Sequence, residues 1–366
     1  MTFRFAVVIF LALTFPLGQR GSAKPADGTP ERSGGYSVSK KVVEGHTTYH
    51  LIDSARKMDL GVVPDMGNFA YEFKVNGKDV LIPPKSLKSY LEKRWFGSGI
   101  PFMAPFSNRI NGDHYYFQGK KYLLNDSLGN ILRVPPKNFP LHGLIVFDSR
   151  WEVVKSGAAD AEGAFITSRL EFYKYPDLMA QFPFAHTYEV TYRLKGGKLE
   201  CMTKVENVGG SPMPVHFGYH PYFRPDGPRE QWTIGIGAEK HWRVDEALIP
   251  SGETELTETF LTGVTKSFTL GKQFVDDGFS GLKRDSEGYG HIWVKGKSQK
   301  IEVVYGREFD FAIVYAPVGN TLICIEPQTG PTNAFNLVHE GKFKGLIVLD
   351  PGKSFSATYW IVPSGY

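Results

Sequence analysis

The chain has 366 residues, 42% of them apolar and 14% aromatic, enough for one large β domain or two ordinary ones and too much for a disordered polymer. Its 42 basic and 38 acidic residues leave a net charge of +4 with no dense basic run, which argues against a nucleic-acid partner. Two cysteines, Cys201 and Cys324, lie far apart inside strand-like runs, so two buried thiols are expected rather than a disulfide framework, a thiolate metal centre or a cysteine nucleophile.

At the N-terminus, Arg4 precedes an apolar stretch from Phe5 to about Leu17, and the small residues Gly21 and Ala23 follow. This pattern predicts a signal peptide over residues 1–23, cleaved on export to the periplasm or the exterior, with an uncleaved anchor as the competing possibility. The stretch is short for a membrane span, so no stable insertion is expected after cleavage. Residues 24–35, rich in Pro, Gly, Ser and charge, predict a flexible leader, and a single folded domain is expected over residues 36–366.

Period-two alternation dominates from there. Phe69, Tyr71, Phe73 and Val75 alternate with polar or small residues up to Asn76-Gly77, which predicts a strand entering a hairpin. Helical period is scarce, the best candidate being the short run Ser86 to Phe96. The strongest hairpin follows later: Tyr188, Val190, Tyr192 and Leu194 lead to Gly196-Gly197, and Leu199, Cys201, Thr203 and Val205 lead away. Further strand-like runs at 301–305, 311–315, 322–325, 346–349 and 355–362 complete an all-β pattern, a sandwich or barrel of antiparallel sheets.

Polar groups in apolar or rigid settings are the informative ones, because burial without a partner is costly. Asn108 and Arg109 follow an apolar, proline-bounded run, where the arginine is either a hydroxyl-binding fork or a tie between loop carbonyls. His142 lies between Leu141 and Gly143. His216 and His220 stand four apart, but Pro214, Gly218 and Pro221 rule out the regular helix that a chelating pair would need. His220, among aromatics and before a proline, suits a proton donor. Asp276 and Asp277 precede Gly278 in an expected turn. Glu326 follows the apolar run Leu322 to Ile325 and precedes Pro327, as either a desolvated base or half of a buried ion pair. Phosphate-loop, dinucleotide, zincin and nucleophile-elbow motifs are absent, which leaves cofactor-free acid–base chemistry.

Taken in order, the motifs Asn108-Arg109-Ile110, the hairpin from Gly119 to Leu124, Leu141-His142-Gly143, Gly218 to Phe223, Asp276 to Phe279 and Glu326 to Pro331 resemble the aldose 1-epimerase (galactose mutarotase) family, over about Leu60 to Val362. The resemblance implies a large antiparallel β-sandwich, the galactose mutarotase-like supersandwich. It also implies a monosaccharide substrate and no cofactor or metal. It places the catalytic base on Glu326 and the acid on His220, and gives hydroxyl binding to Arg109, His142 and Asp276, with Asn108 beside them. Asp276 is chosen over Asp277 by its spacing to Phe279. Tyr219-His220-Pro221 is nearer the family's Trp-His-Pro form than its Asn-His-Ser form. The alternatives are a hexose-6-phosphate 1-epimerase, with Lys93 and Arg94 as candidate phosphate ligands, and a non-catalytic carbohydrate-binding sandwich. The latter predicts replacement of Glu326 or His220, and both are present.

Overall fold

Two-residue turns with positive φ at both positions set the scheme of the chain. Asn76 and Gly77 (φ 51° and 74°) close the hairpin between Phe69–Val75 and Lys78–Asp79. Gly196 and Gly197 (φ 59° and 80°) close that between His186–Lys195 and Lys198–Asn207, with Tyr192 opposite Cys201 and Leu194 opposite Leu199. The residues that alternate in the sequence are the buried ones, Tyr188, Val190, Tyr192 and Leu194 on one strand and Leu199, Cys201, Thr203 and Val205 on the other.

The computed structural model describes residues 31–94, 96–134 and 137–366; the expected signal peptide and residues 24–30 of the expected leader lie outside them. The rest of that leader is not irregular. Glu31–Ser33 pairs with Tyr36–Val43, Glu31 opposite Val38, because Gly34-Gly35 is a hairpin turn rather than a linker.

Three antiparallel sheets carry the fold. The N-terminal sheet has six strands in sequence order, from Glu31–Ser33 to Lys78–Asp79. A nine-stranded sheet is centred on Lys198–Asn207, Ser354–Ser364 and Lys300–Tyr305. An eight-stranded sheet runs through Ala238–Val244, Val275–Leu282, Phe311–Ala316, Ile323–Gln328 and Gly218–Tyr219 to Phe102–Met103. The two broad sheets share a core: Phe102 meets Tyr188 at 5.5 Å between ring centroids, and Tyr219 meets Tyr359 at 4.9 Å. Val38, Leu51 and Leu60 of the N-terminal sheet join the same cluster. Both cysteines are free and buried. No helix among the described residues is long and apolar enough to cross a membrane.

The helix expected over Ser86 to Phe96 is shorter, Leu87–Lys93. Ser86 caps it by accepting from Ser89 N, and Arg94 ends it in the left-handed region at φ 44°. Phe96 therefore leaves the helix, which matters for the site. The acidic pair is also placed differently: Asp276 and Asp277 lie in the strand Val275–Leu282, not in a turn. Gly278 lies mid-strand, paired with Trp242 on one side and Ile313 on the other, and Ile313 Cδ1 would lie a tight 3.3 Å from an added Cβ.

Phe102 has no exposed surface and packs on Trp151, Tyr188, Phe217 and Tyr219. Phe102→Ala is expected to lower stability by about 3–5 kcal/mol, read as a lower urea midpoint, because the cavity lies where the two sheets meet.

Candidate active site

The strand Ile323–Gln328 is buried at every position. Successive side chains point to opposite faces, so Ile323 and Ile325 enter the core while Cys324, Glu326 and Gln328 share the other face. Cys324 lies opposite Tyr315 on one side and Tyr222 on the other, and Tyr315 lies opposite Asp276. Asp276 thus stands on the face of Glu326, one strand removed. The same register sends Asp277 to the opposite face, where its Oδ1 accepts from His241 Nε2 at 2.8 Å. Of the two acids, Asp276 is the one that lines the cleft. Glu326 sits inside the strand rather than at its end, and Pro327 continues it opposite Ala312.

Two loops bring the remaining groups. Asn108 and His142 both adopt left-handed backbone, at φ 56° and 60°, a conformation that costs about 1–3 kcal/mol for a non-glycine residue. Each supports the other: His142 N donates to Asn108 O at 2.9 Å, and Arg109 bridges to Leu141. Asn108 Oδ1 accepts from Arg109 N at 2.9 Å and from its Nη1 at 3.0 Å, which fixes the guanidinium. Gly143 closes the loop against Ala104, whose carbonyl oxygen lies 2.0 Å from where a Cβ would be.

These elements enclose a cleft of about 440 Å³ lined by Asn108, Arg109, His142, His220, Asp276 and Glu326, with Phe96, Leu141, Tyr222, Tyr315, Asn320 and Leu322 as further walls. Its size lies in the usual range for small-molecule sites. All six residues expected from the sequence meet there. At its floor His220 Nε2 lies 3.2 Å from Glu326 Oε1. Tyr222 stacks on the His220 ring at 4.5 Å, and the His142 ring meets it edge-on at 5.2 Å. The Nδ1 atoms of His142 and His220 are buried with no hydrogen-bond partner among the described residues, as suits groups that face a polar ligand.

Electrostatics decide where the proton of the Glu326–His220 contact rests. Burial, then the nearby Asp276 carboxylate, raises Glu326 well above its ordinary 4.5, against the opposing pull of Gln328 and Arg109. Burial, with Arg109 adding to it, lowers His220 to about 3. The contact has ion-pair geometry, yet burial disfavours charge on both groups, which favours a neutral O–H···N hydrogen bond over an ion pair. Moving that one proton from Oε1 to Nε2 turns the pair into a carboxylate base and an imidazolium acid. Burial, then His220 and Arg109, keeps His142 neutral.

Several site residues escaped the sequence. Phe96 reads as the end of a helix, and Tyr222 and Tyr315 are indistinguishable from core aromatics until sheet register gives them a face. Gln328 lies within the quoted Glu326 motif, but nothing local shows that its amide donates to Glu326 Oε2 at 3.2 Å. His216 is not paired with His220 in a chelate; its Nε2 is taken by Ser107 and Gly330.

Burial, opposed by Arg109 and reinforced by Asp277, raises Asp276 from 3.8 to about 6. Between those values the folded state binds more protons than the unfolded state, so this group's contribution to stability falls as pH rises through the window. Asp276→Asn is expected to be more stable than the parent above pH 6 and equal to it below about pH 4, compared by urea midpoints across pH.

Comparison with known proteins identifies the family of the chain. The chain is 27% identical to galactose mutarotase of Sus scrofa over 312 residues, covering 78% of this chain and 83% of the relative. A galactose mutarotase-like protein from Clostridium acetobutylicum superposes with a TM-score of 0.76 at 20% identity, over 90% of this chain and 98% of that one. Galactose 1-epimerase from Lactobacillus acidophilus does so with a TM-score of 0.70 at 15% identity, over 90% and 98%. The sequence profile of aldose 1-epimerase matches residues 62–361, and the chain belongs to the aldose 1-epimerase family.

Proposed function

We propose that the protein interconverts the α and β anomers of a free aldose, such as glucose or galactose, by opening and reclosing the pyranose ring. The observation that carries this is the 3.2 Å contact between Glu326 Oε1 and His220 Nε2, two buried groups at the floor of one cleft. Glu326 takes the proton of the anomeric O1 hydroxyl as the O1–H electrons form the C1=O1 bond. The C1–O5 bond breaks, and its electrons take the proton that His220 donates. Rotation about C1–C2 presents the other face, and reversal of the same transfers closes the ring.

The proton count favours this cycle. Ring opening leaves Glu326 protonated and His220 neutral, the state that burial prefers, and the pair carries one proton before and after the step. Each acid–base partner typically contributes a factor of about 10² to 10⁴. Arg109, Asn108, His142 and Asp276 hold the hydroxyls, and Arg109 faces the charge that develops between O1 and O5. Free sugars are favoured over sugar phosphates because Arg109 is the only Lys or Arg lining the cleft among the described residues. Lys93 lines a neighbouring cleft, and Arg94 donates to Gly129 O at 2.7 Å. A non-catalytic binding protein has no need for two buried proton-transfer groups in contact.

The purified protein is expected to speed the polarimetric equilibration of fresh α-D-glucose or α-D-galactose, with sugar phosphates run beside them; unchanged rates across free aldoses would sink the proposal. Glu326→Gln is expected to fold and to lose at least about 100-fold in kcat. The pH profile of kcat/KM is expected to be bell-shaped. It falls at low pH as a second proton enters the pair, and at high pH as the shared proton leaves.

The proposal includes export: residues 1–23 are cleaved, and the chain from the strand Glu31–Ser33 onward forms one domain. Mass spectrometry of protein expressed with its own N-terminus is expected to show loss of those 23 residues. An intact N-terminus in an exported fraction would count against it.

A further inference from the structure

Beside the cleft, a second line of polar groups runs up to Glu326, and one of them, Gln328, lines a small adjoining pocket that shares Asn108, Arg109 and Asp276 with the cleft. Gln328 Nε2 donates to Glu326 Oε2 at 3.2 Å, and Gln328 Oε1 accepts from Ser107 Oγ at 2.8 Å. Ser107 Oγ in turn lies 3.0 Å from His216 Nε2, which is also 3.2 Å from Gly330 O. Ser107 and Gln328 have no exposed surface, and His216 has 1%. None of the three lines the cleft.

The hydrogens in this line have one consistent direction. A carbonyl only accepts, so the contact with Gly330 O puts the hydrogen of His216 on Nε2, where it is shared with Ser107 Oγ. Ser107 then has its single hydrogen to give to Gln328 Oε1. That contact fixes the amide: its NH₂ faces Glu326, and the flipped amide would set an oxygen against the carboxylate. The chain therefore ends on a donor to Oε2 and leaves Oε1 as the oxygen that meets His220.

The local sequence makes room for it. A Cβ at Gly218 would lie 2.8 Å from Gln328 Cγ and 3.1 Å from Ser107 Cβ, so any larger residue would part the two side chains. Gly218 pairs with both Gln328 and Met103, which brings the segments carrying Ser107 and Gln328 side by side. Burial of every member makes the line cooperative, since a broken link strands a polar atom without water.

We propose that His216, Ser107 and Gln328 are positioning residues, a one-way donor relay that fixes the rotation of the Glu326 carboxylate and stabilises its ionised form for proton transfer. The relay rests on Glu326 being the base. From other elements Glu326 faces His220 and Tyr222, Arg109, Asp276 and Tyr315 of its own sheet, and Tyr305 of the nine-stranded sheet, with Cys324 beside it on its own strand. While His220 is neutral, only Gln328 and Arg109 of all these favour the carboxylate form of Glu326, and among the described residues only Gln328 donates to Oε2.

The test titrates Glu326 in sugar-free protein by NMR of carboxyl-labelled glutamate, with the signal assigned by its loss in Glu326→Gln, beside polarimetric kcat and KM. Gln328→Met keeps the length and removes the donor. It is expected to raise the Glu326 titration by about one pH unit and lower kcat about 10- to 100-fold, the worth of one hydrogen bond to a charged group, with KM little changed. The alkaline limb of the rate profile moves to higher pH with it. Ser107→Ala moves both readouts in the same direction by less. His216→Gln, whose Nε2 can replace the ring N–H, retains them, whereas His216→Phe does not. An unchanged Glu326 titration in folded Gln328→Met and Ser107→Ala overturns the relay, even if activity falls. If the parent protein turns over no aldose, the proposed reaction fails while the titration still decides the relay.

Discussion

A carboxylate with 1% exposure in the middle of a β-strand is the constraint on which the rest of the site depends. An isolated buried charge is too costly to keep, so Glu326 must either hold a proton or find compensation at short range. It has both. His220 supplies an acceptor for its proton at Oε1, Gln328 a donor at Oε2, and Arg109 a nearby positive charge.

The eight-stranded sheet converts that constraint into a site by using its two faces differently. One face buries Ile323, Ile325, Val314 and Phe279 in the core; the other carries Cys324, Glu326, Gln328 and Asp276. Rigidity on the polar face is thus supplied by apolar packing on the other, a few ångströms away. The left-handed backbone of Asn108 and His142 points two loops inward, held by the hydrogen bond between them and by Gly143 against Ala104.

Much of this was legible in the chain. Period two with glycine-bearing turns marks the hairpins around Asn76-Gly77 and Gly196-Gly197, because alternation and positive φ are local properties. The ordered motifs pick out residues that meet in one cleft. What failed was equally local in cause. The pattern from Ser86 to Phe96 does not show that Arg94 turns left-handed, and Gly278 imitates a turn because its place in a strand depends on Trp242 and Ile313 from other segments. Gly34-Gly35 reads as a linker until its partner strand is seen.

The sequence by itself determined the all-β class, the main hairpins and the chemical types at Asn108, Arg109, His142, His220, Asp276 and Glu326, since these follow from periodicity, turn chemistry and motif. Tertiary structure alone set Asp276 in the cleft and Asp277 on the opposite face, as the spacing to Phe279 suggests, and it brought Glu326 to His220. It also decided that Ser107, 221 positions away in the chain, stands behind Gln328. The physical reason is register. A strand specifies that its side chains alternate, but only pairing with strands distant in sequence specifies which face is buried in the core and which faces the cleft.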